Sequence, residues 1–232
     1  MVGRLRTSFS DRRIAVLASL GLLTLFALAM LGARMAYTGS REHVGLGWNL
    51  VLAWIPFTLS LLLYARARAG APLRLLVPLA VVWLVFFPNA PYLVTDLKHI
   101  GDGGRVPVLY DVLLFSAGAW AGLLLGLTSL FLVHAVARRL LGALSAWALV
   151  LTALALSSFG IYLGRVLRWN SWDVVVHPGA LAGQLGGGLL HPLDYPRPLA
   201  LTVLLTSFLL ASYLVLYSFA RLIPDWPDAR KP

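Results

Sequence analysis

Along the chain, apolar positions fall in long blocks rather than in short alternations. Blocks of roughly 18 or more apolar residues read as helices that cross a bilayer. Six such blocks stand out, at about Ile14–Ala33, Val44–Tyr64, Ala71–Phe87, Val112–Ala137, Leu140–Leu163 and Leu199–Ala220. Pro56 lies inside the second, where neighbouring helices can satisfy the carbonyl it frees. The third is short and runs into Pro88-Asn89-Ala90-Pro91, which must break or kink it. The pattern predicts an all-α integral membrane protein, a bundle of about six transmembrane helices with a polar extracytoplasmic cluster. The expected divisions are a basic N-terminus over 1–13, one polytopic membrane domain over 14–222 and a tail over 223–232.

Composition agrees. Hydrophobic residues make up 59% and charged residues 12% of the 232, about half the charge of a soluble domain. Arg4, Arg6, Arg12 and Arg13 before the first block resemble the start of a signal peptide. The block is longer than the 7–15 residues of a signal core, and a retained helix is expected. With no cysteine, disulfides and thiolate chemistry are excluded. The net charge of +10 is spread over helix ends without a basic stripe. It reads as topology signal and anionic-lipid contact, not as a nucleic-acid footprint.

Arginine and lysine concentrate in alternate connections: the N-terminus, then Arg66, Arg68 and Arg74, then Arg138 and Arg139, then Arg221, Arg230 and Lys231. This bias places both termini in the cytoplasm of a cell inner membrane. The opposite face then holds Glu42, Asp96, Asp102, Asp111, Asp173 and Asp194, with His43, His99, His177 and His191. In the fourth block Gly118, Gly122 and Gly126 recur every four residues, a stripe for close helix packing. Gly160 and Gly164 form a shorter version. There is no internal repeat of the kind that builds a two-halved transporter.

Two segments carry candidate chemistry. In Phe87 to Ile100, Pro91 suits the first turn of a new helix and Asn89 could cap it. On an α-helix, Tyr92, Asp96 and His99 would share a face. Asp96 and His99 could then take a proton or hold a metal, and the plainer reading is an interfacial helix with ordinary polar residues. In Gly160 to Asp173, Tyr162, Arg165 and Trp169 share a face beside Arg168. Two arginines among aromatics suit a phosphate or carboxylate, and also suit a plain interfacial anchor. The candidate substrate-binding set is Asn89, Tyr92, Arg165, Arg168, Trp169 and Asp173, with Asp96 and His99 as catalytic candidates. Metal candidates are Asp96, His99, Asp111 and His177, the last two with simpler readings as a helix-start carboxylate and a loop residue. Gly186-Gly187-Gly188 gives the last outer loop the freedom of a lid. No sequence signature of a hydrolase, metalloprotease or phosphate loop is present, and no cofactor is indicated.

The segments Phe87-Pro88-Asn89-Ala90-Pro91-Tyr92 with Thr95-Asp96-Leu97 and His99, and Gly160-Ile161-Tyr162-Leu163-Gly164-Arg165 with Arg168-Trp169-Asn170-Ser171-Trp172-Asp173, resemble a bacterial multi-pass membrane family catalogued as domain of unknown function 1361. The resemblance runs from about the second block to the sixth. It implies a bacterial inner-membrane protein and adds no substrate, cofactor or catalytic residue. Two functional classes follow from the residues. One is a protein that binds or processes an anionic lipid-linked or envelope substrate at an extracytoplasmic interfacial site. The other is a transporter or a structural subunit of a membrane complex. The convergence of the Asp96–His99 and Arg165–Asp173 segments in one outer pocket is expected, because acids and arginines at similar depth are cheaper paired than apart.

Overall fold

The computed structural model describes residues 2–102, 104, 106–166 and 196–222, with side chains described over 14–165 apart from 103 and 105, and over 199–220. Its elements are α1 (Val2–Thr38), α2 (Val44–Arg68), α3 (Leu73–Phe86), α4 (Asn89–Tyr92), a 3₁₀ segment (Leu93–His99), α5 (Val108–Leu141), α6 (Ala143–Val166) and α7 (Pro196–Leu222). No strand occurs among the described residues. Six helical stretches are long and apolar enough to cross a membrane: Ile14–Thr38, Val44–Arg68, Leu73–His99, Val108–Leu141, Ala143–Arg165 and Leu199–Ala220. The chain is thus an all-α, multi-pass membrane protein.

Helix ends follow local chemistry. At the end of α2, Gly70 adopts φ 80°, Ala71 donates its N–H to the Arg66 carbonyl, and Gly70 donates to Ala67. This paired closure needs a left-handed residue that glycine supplies without strain. The third stretch breaks as its prolines demand: α3 stops at Phe86, and helix resumes at Asn89. What resumes is mostly 3₁₀, with about three residues per turn. Asp96 and His99 are therefore eclipsed with Leu93 rather than with Tyr92, which alters the expected face. Leu93 and Asp96 are buried, and Tyr92 is half-buried.

The described residues form two compact units. The first comprises 1–57 and 89–126. In it the glycine stripe of α5 receives its neighbours. A Cβ on Gly122 would collide with the Ala90 carbonyl and with the Leu93 side chain, 2.7 Å from its Cβ. One on Gly126 would lie 3.3 Å from Ala90 Cβ and Pro91 Cδ, and one on Gly118 3.0 Å from Leu46 Cδ1. The stripe is therefore a packing surface for α2 and the 89–93 turn. Leu50, Phe57, Leu93, Leu114 and Phe115 fill the core beside it.

The second unit comprises 58–88 and 127–232, of which 167–195 and 223–232 lie outside the described residues. Trp83 donates its indole N–H to Ser129 Oγ at 2.6 Å, joining α3 to α5. Gly160 packs against Pro88, 3.3 Å from a would-be Cβ to Pro88 Cγ. His134, Trp147, Tyr213 and Tyr217 make an aromatic cluster of α5, α6 and α7. Within it His134 Nδ1 and the Tyr213 hydroxyl lie 2.6 Å apart.

Candidate functional site

The polar residues of the first unit gather where α1 ends, α2 begins and α5 begins. Helix α1 continues to Thr38, past the apolar block that ends near Ala33, so Arg34 lies inside the helix. It is only 3% exposed. A guanidinium at such depth is costly unless paired and fully hydrogen-bonded. Asp111, 1% exposed in the first turn of α5, supplies the pair. Arg34 Nε donates to Asp111 Oδ1 at 2.8 Å, and Nη2 to Oδ2 at 3.3 Å. Asp111 Oδ2 also accepts the Gly101 N–H at 3.3 Å. The Tyr110 hydroxyl donates to the Met30 carbonyl at 2.6 Å, a second tie between α1 and α5.

The remaining guanidinium protons reach two loops. Nη2 donates to the Asp102 carbonyl at 2.9 Å, and Nη1 lies 3.2 Å from His43 Nδ1. Arg34 thereby holds the α1–α2 turn and the loop before α5 at one point. His43 is buried (8% exposed), packed edge-on to His99 at 5.8 Å and against Phe115 at 5.3 Å between ring centres. His99 closes the 3₁₀ segment, and its Nδ1 lies 2.7 Å from Asp102 Oδ2. The His99 and Asp102 side chains are 35% and 54% exposed. The cluster is thus sealed on the Arg34–Asp111 side and open on the His99–Asp102 side.

Electrostatics follow this geometry. Burial lowers the His43 pKa below its usual value, and the charges of Arg34 and His99 lower it further. The hydrogen bond from His99 holds the Asp102 carboxyl below its usual range. Arg34 and Asp111 cancel, which leaves the Asp102 carboxylate beside two imidazoles. One donor atom each from His43, His99 and Asp102 lies within 4.8 Å of the others. Two imidazoles and a carboxylate suit a first-row divalent cation. Arg34 keeps three other acceptors on Asp111 and the Asp102 backbone, so it can release the His43 Nδ1 lone pair.

Of the residues singled out in the sequence, His99 belongs to this cluster. Asp96 is buried on the same segment and accepts from Asn49 Nδ2 at 3.2 Å. Asp111 sits at the helix start as read, with Arg34 as its partner. Asn89 and Tyr92 form the short helix against the glycine stripe. Arg165 occupies the last turn of α6, in the second unit. Arg168, Trp169, Asp173, His177 and the Gly186 loop lie outside the described residues. The sequence placed His43 and Asp102 on the outer face without giving either a role, and it did not single out Arg34. The available signal was Arg34 standing one turn before the true helix end, in a stretch still helical through Met35, Ala36 and Tyr37.

No curated protein and no solved structure matches the chain. A family match covers residues 48–216, which includes the 3₁₀ segment, the start of α5 and the arginine of α6. The chain therefore belongs to the family described as a protein of unknown function, DUF1361.

Proposed function

We propose that the polar end of the first unit is a divalent-metal site at which an anionic, lipid-linked or envelope substrate is bound and processed. The reading rests on one observation: donor atoms of His43, His99 and Asp102 within 4.8 Å of one another. A divalent cation there would serve as a Lewis acid for a phosphate or carboxylate oxygen. His99 and Asp102 are open to the surroundings, as a substrate-accessible site requires, while the buried Arg34–Asp111 pair fixes the loops behind them. Asp96 and His99 are the proton-handling candidates. Arg165 and Arg168 stay the proposed anion-binding residues, and Asn89, Tyr92, Trp169 and Asp173 the other substrate-binding candidates read from the sequence. The basic bias of the alternate connections supports cytoplasmic termini in a bacterial inner membrane, which would put this site on the extracytoplasmic face.

The test is metal content. Protein purified without chelator and exchanged into metal-free buffer should retain about one zinc or similar ion per chain, as expected of a preorganised nitrogen and oxygen site. His43→Ala and His99→Ala should each lose it. Retention of the ion by both variants would overturn the reading. A metal-free second reading is favoured by the 2.7 Å contact of His99 with Asp102. There the carboxylate orients the ring, and His99 Nε2 serves as proton acceptor. A transporter or structural subunit would show neither metal retention nor dependence on His99.

A further inference from the structure

The second unit carries an apolar groove that the site above does not use. Its volume is about 480 Å3, and α2, α3, α5 and α6 line it. Leu63, Leu76, Trp83 and Val133 form a buried floor. Leu73, Val77 and Leu141 stand as rims more than half exposed. Among the described residues of the wall the one hydroxyl is that of Thr152, and the Trp83 N–H is already given to Ser129. Such a wall offers a polar ligand almost nothing and suits a hydrocarbon chain.

Charge then selects the ligand's other end. The groove runs to the end of the unit where α2 and α5 finish and α3 and α6 begin. There Arg74 follows the lining residue Leu73, and Arg139 precedes the lining residue Leu140. Both arginines are exposed, as is Arg66 one helical end away. Among the described residues of this unit there is no Asp or Glu at all. An apolar trough ending in arginines without local carboxylates is complementary to a molecule with acyl chains and an anionic head.

We propose that this groove is a binding site for an anionic phospholipid of the bilayer, its acyl chain along Leu76, Val77 and Leu149 and its phosphate at Arg74 and Arg139. The proposal is independent of the metal site. A juxtamembrane arginine strengthens attachment to anionic lipid by about fivefold, so the two together set a preference of roughly 25-fold. Neutral lipids of equal chain length bind the same groove without that preference.

The experiment titrates the full chain in detergent with dioleoyl phosphatidylglycerol or dioleoyl phosphatidylcholine and counts bound lipid by native mass spectrometry. Wild type should hold one phosphatidylglycerol in strong preference to phosphatidylcholine. The exposed double variant Arg74→Gln/Arg139→Gln should bring the two lipids close to parity. Ala80→Phe and Ala148→Phe, which fill the groove from its walls, should lose both lipids. Equal binding of the two lipids by wild type would overturn the proposal, as would a preference that survives the arginine variant. A dimer that forms in place of bound lipid, and that Ala80→Phe abolishes, would assign the groove to a second copy instead.

Discussion

Replacing Arg34 by Met removes a cation but keeps most of the apolar stem. In the structure it strips Asp111 of two hydrogen bonds and the Asp102 carbonyl and His43 of one each. Asp111 is 1% exposed and keeps only the Gly101 N–H among these contacts. Breaking a buried pair from one side typically costs about 3–5 kcal/mol, because an uncompensated charge remains. Asp111→Leu should cost a similar amount for the mirror reason. The double variant Arg34→Met/Asp111→Leu leaves no orphaned charge and should fall within about 2 kcal/mol of wild type, since apolar replacement of both partners is often near neutral. The cycle should therefore return a coupling of at least about 3 kcal/mol. Equilibrium unfolding in mixed micelles, followed by tryptophan fluorescence, measures all four proteins. Single variants that each cost under about 1 kcal/mol, as exposed pairs do, would refute the buried-pair account.

Four further outcomes are expected. Gly122→Ala should cost about 1–3 kcal/mol by overpacking against Ala90 and Leu93, whereas Gly21→Ala, with nothing near its added methyl, should be tolerated in the same unfolding assay. Ser129→Ala should cost about 1–3 kcal/mol by leaving the buried Trp83 N–H unsatisfied. In chelator-treated protein, His43 should titrate below the usual histidine value, because burial first, and then the electrostatic effects of Arg34 and His99, outweigh those of Asp111 and Asp102. Since its folded pKa is the lower one, the stability it confers is present above the unfolded value and is lost as pH falls toward the folded one. Histidine ring resonances over pH 5–8, compared with His43→Gln, check this. Reporter fusions after Lys231 and within the Gly186 loop should report opposite sides, with the C-terminus cytoplasmic.

The helical class and the number of spans were legible because bilayer thickness writes itself into block length, with no tertiary information needed. The break at Pro88 and the packing role of Gly118, Gly122 and Gly126 were legible for the same local reason: ring geometry and a missing Cβ act wherever they occur. The site was less so. Asp96 and His99 were recognised as a pair on α-helical spacing, and the 3₁₀ winding keeps them on one face without Tyr92, but His99 turns to Asp102 while Asp96 turns to Asn49. Arg34 meets Asp111 across 77 positions of sequence, and His43 meets His99 across a connection that no periodicity encodes. A hydropathy pattern locates a charge along the membrane normal and leaves its partner unnamed. The second segment singled out, from Gly160 to Asp173, lies partly outside the described residues.

X-ray absorption at the zinc edge of zinc-loaded, full-length protein tests the central claim most directly. The account predicts imidazole scattering from two histidines at about 2.0–2.1 Å, with oxygen completing the shell at about 2.0–2.2 Å, and loss of one imidazole in His43→Ala. A spectrum without imidazole, or one identical in wild type and His43→Ala, would contradict it.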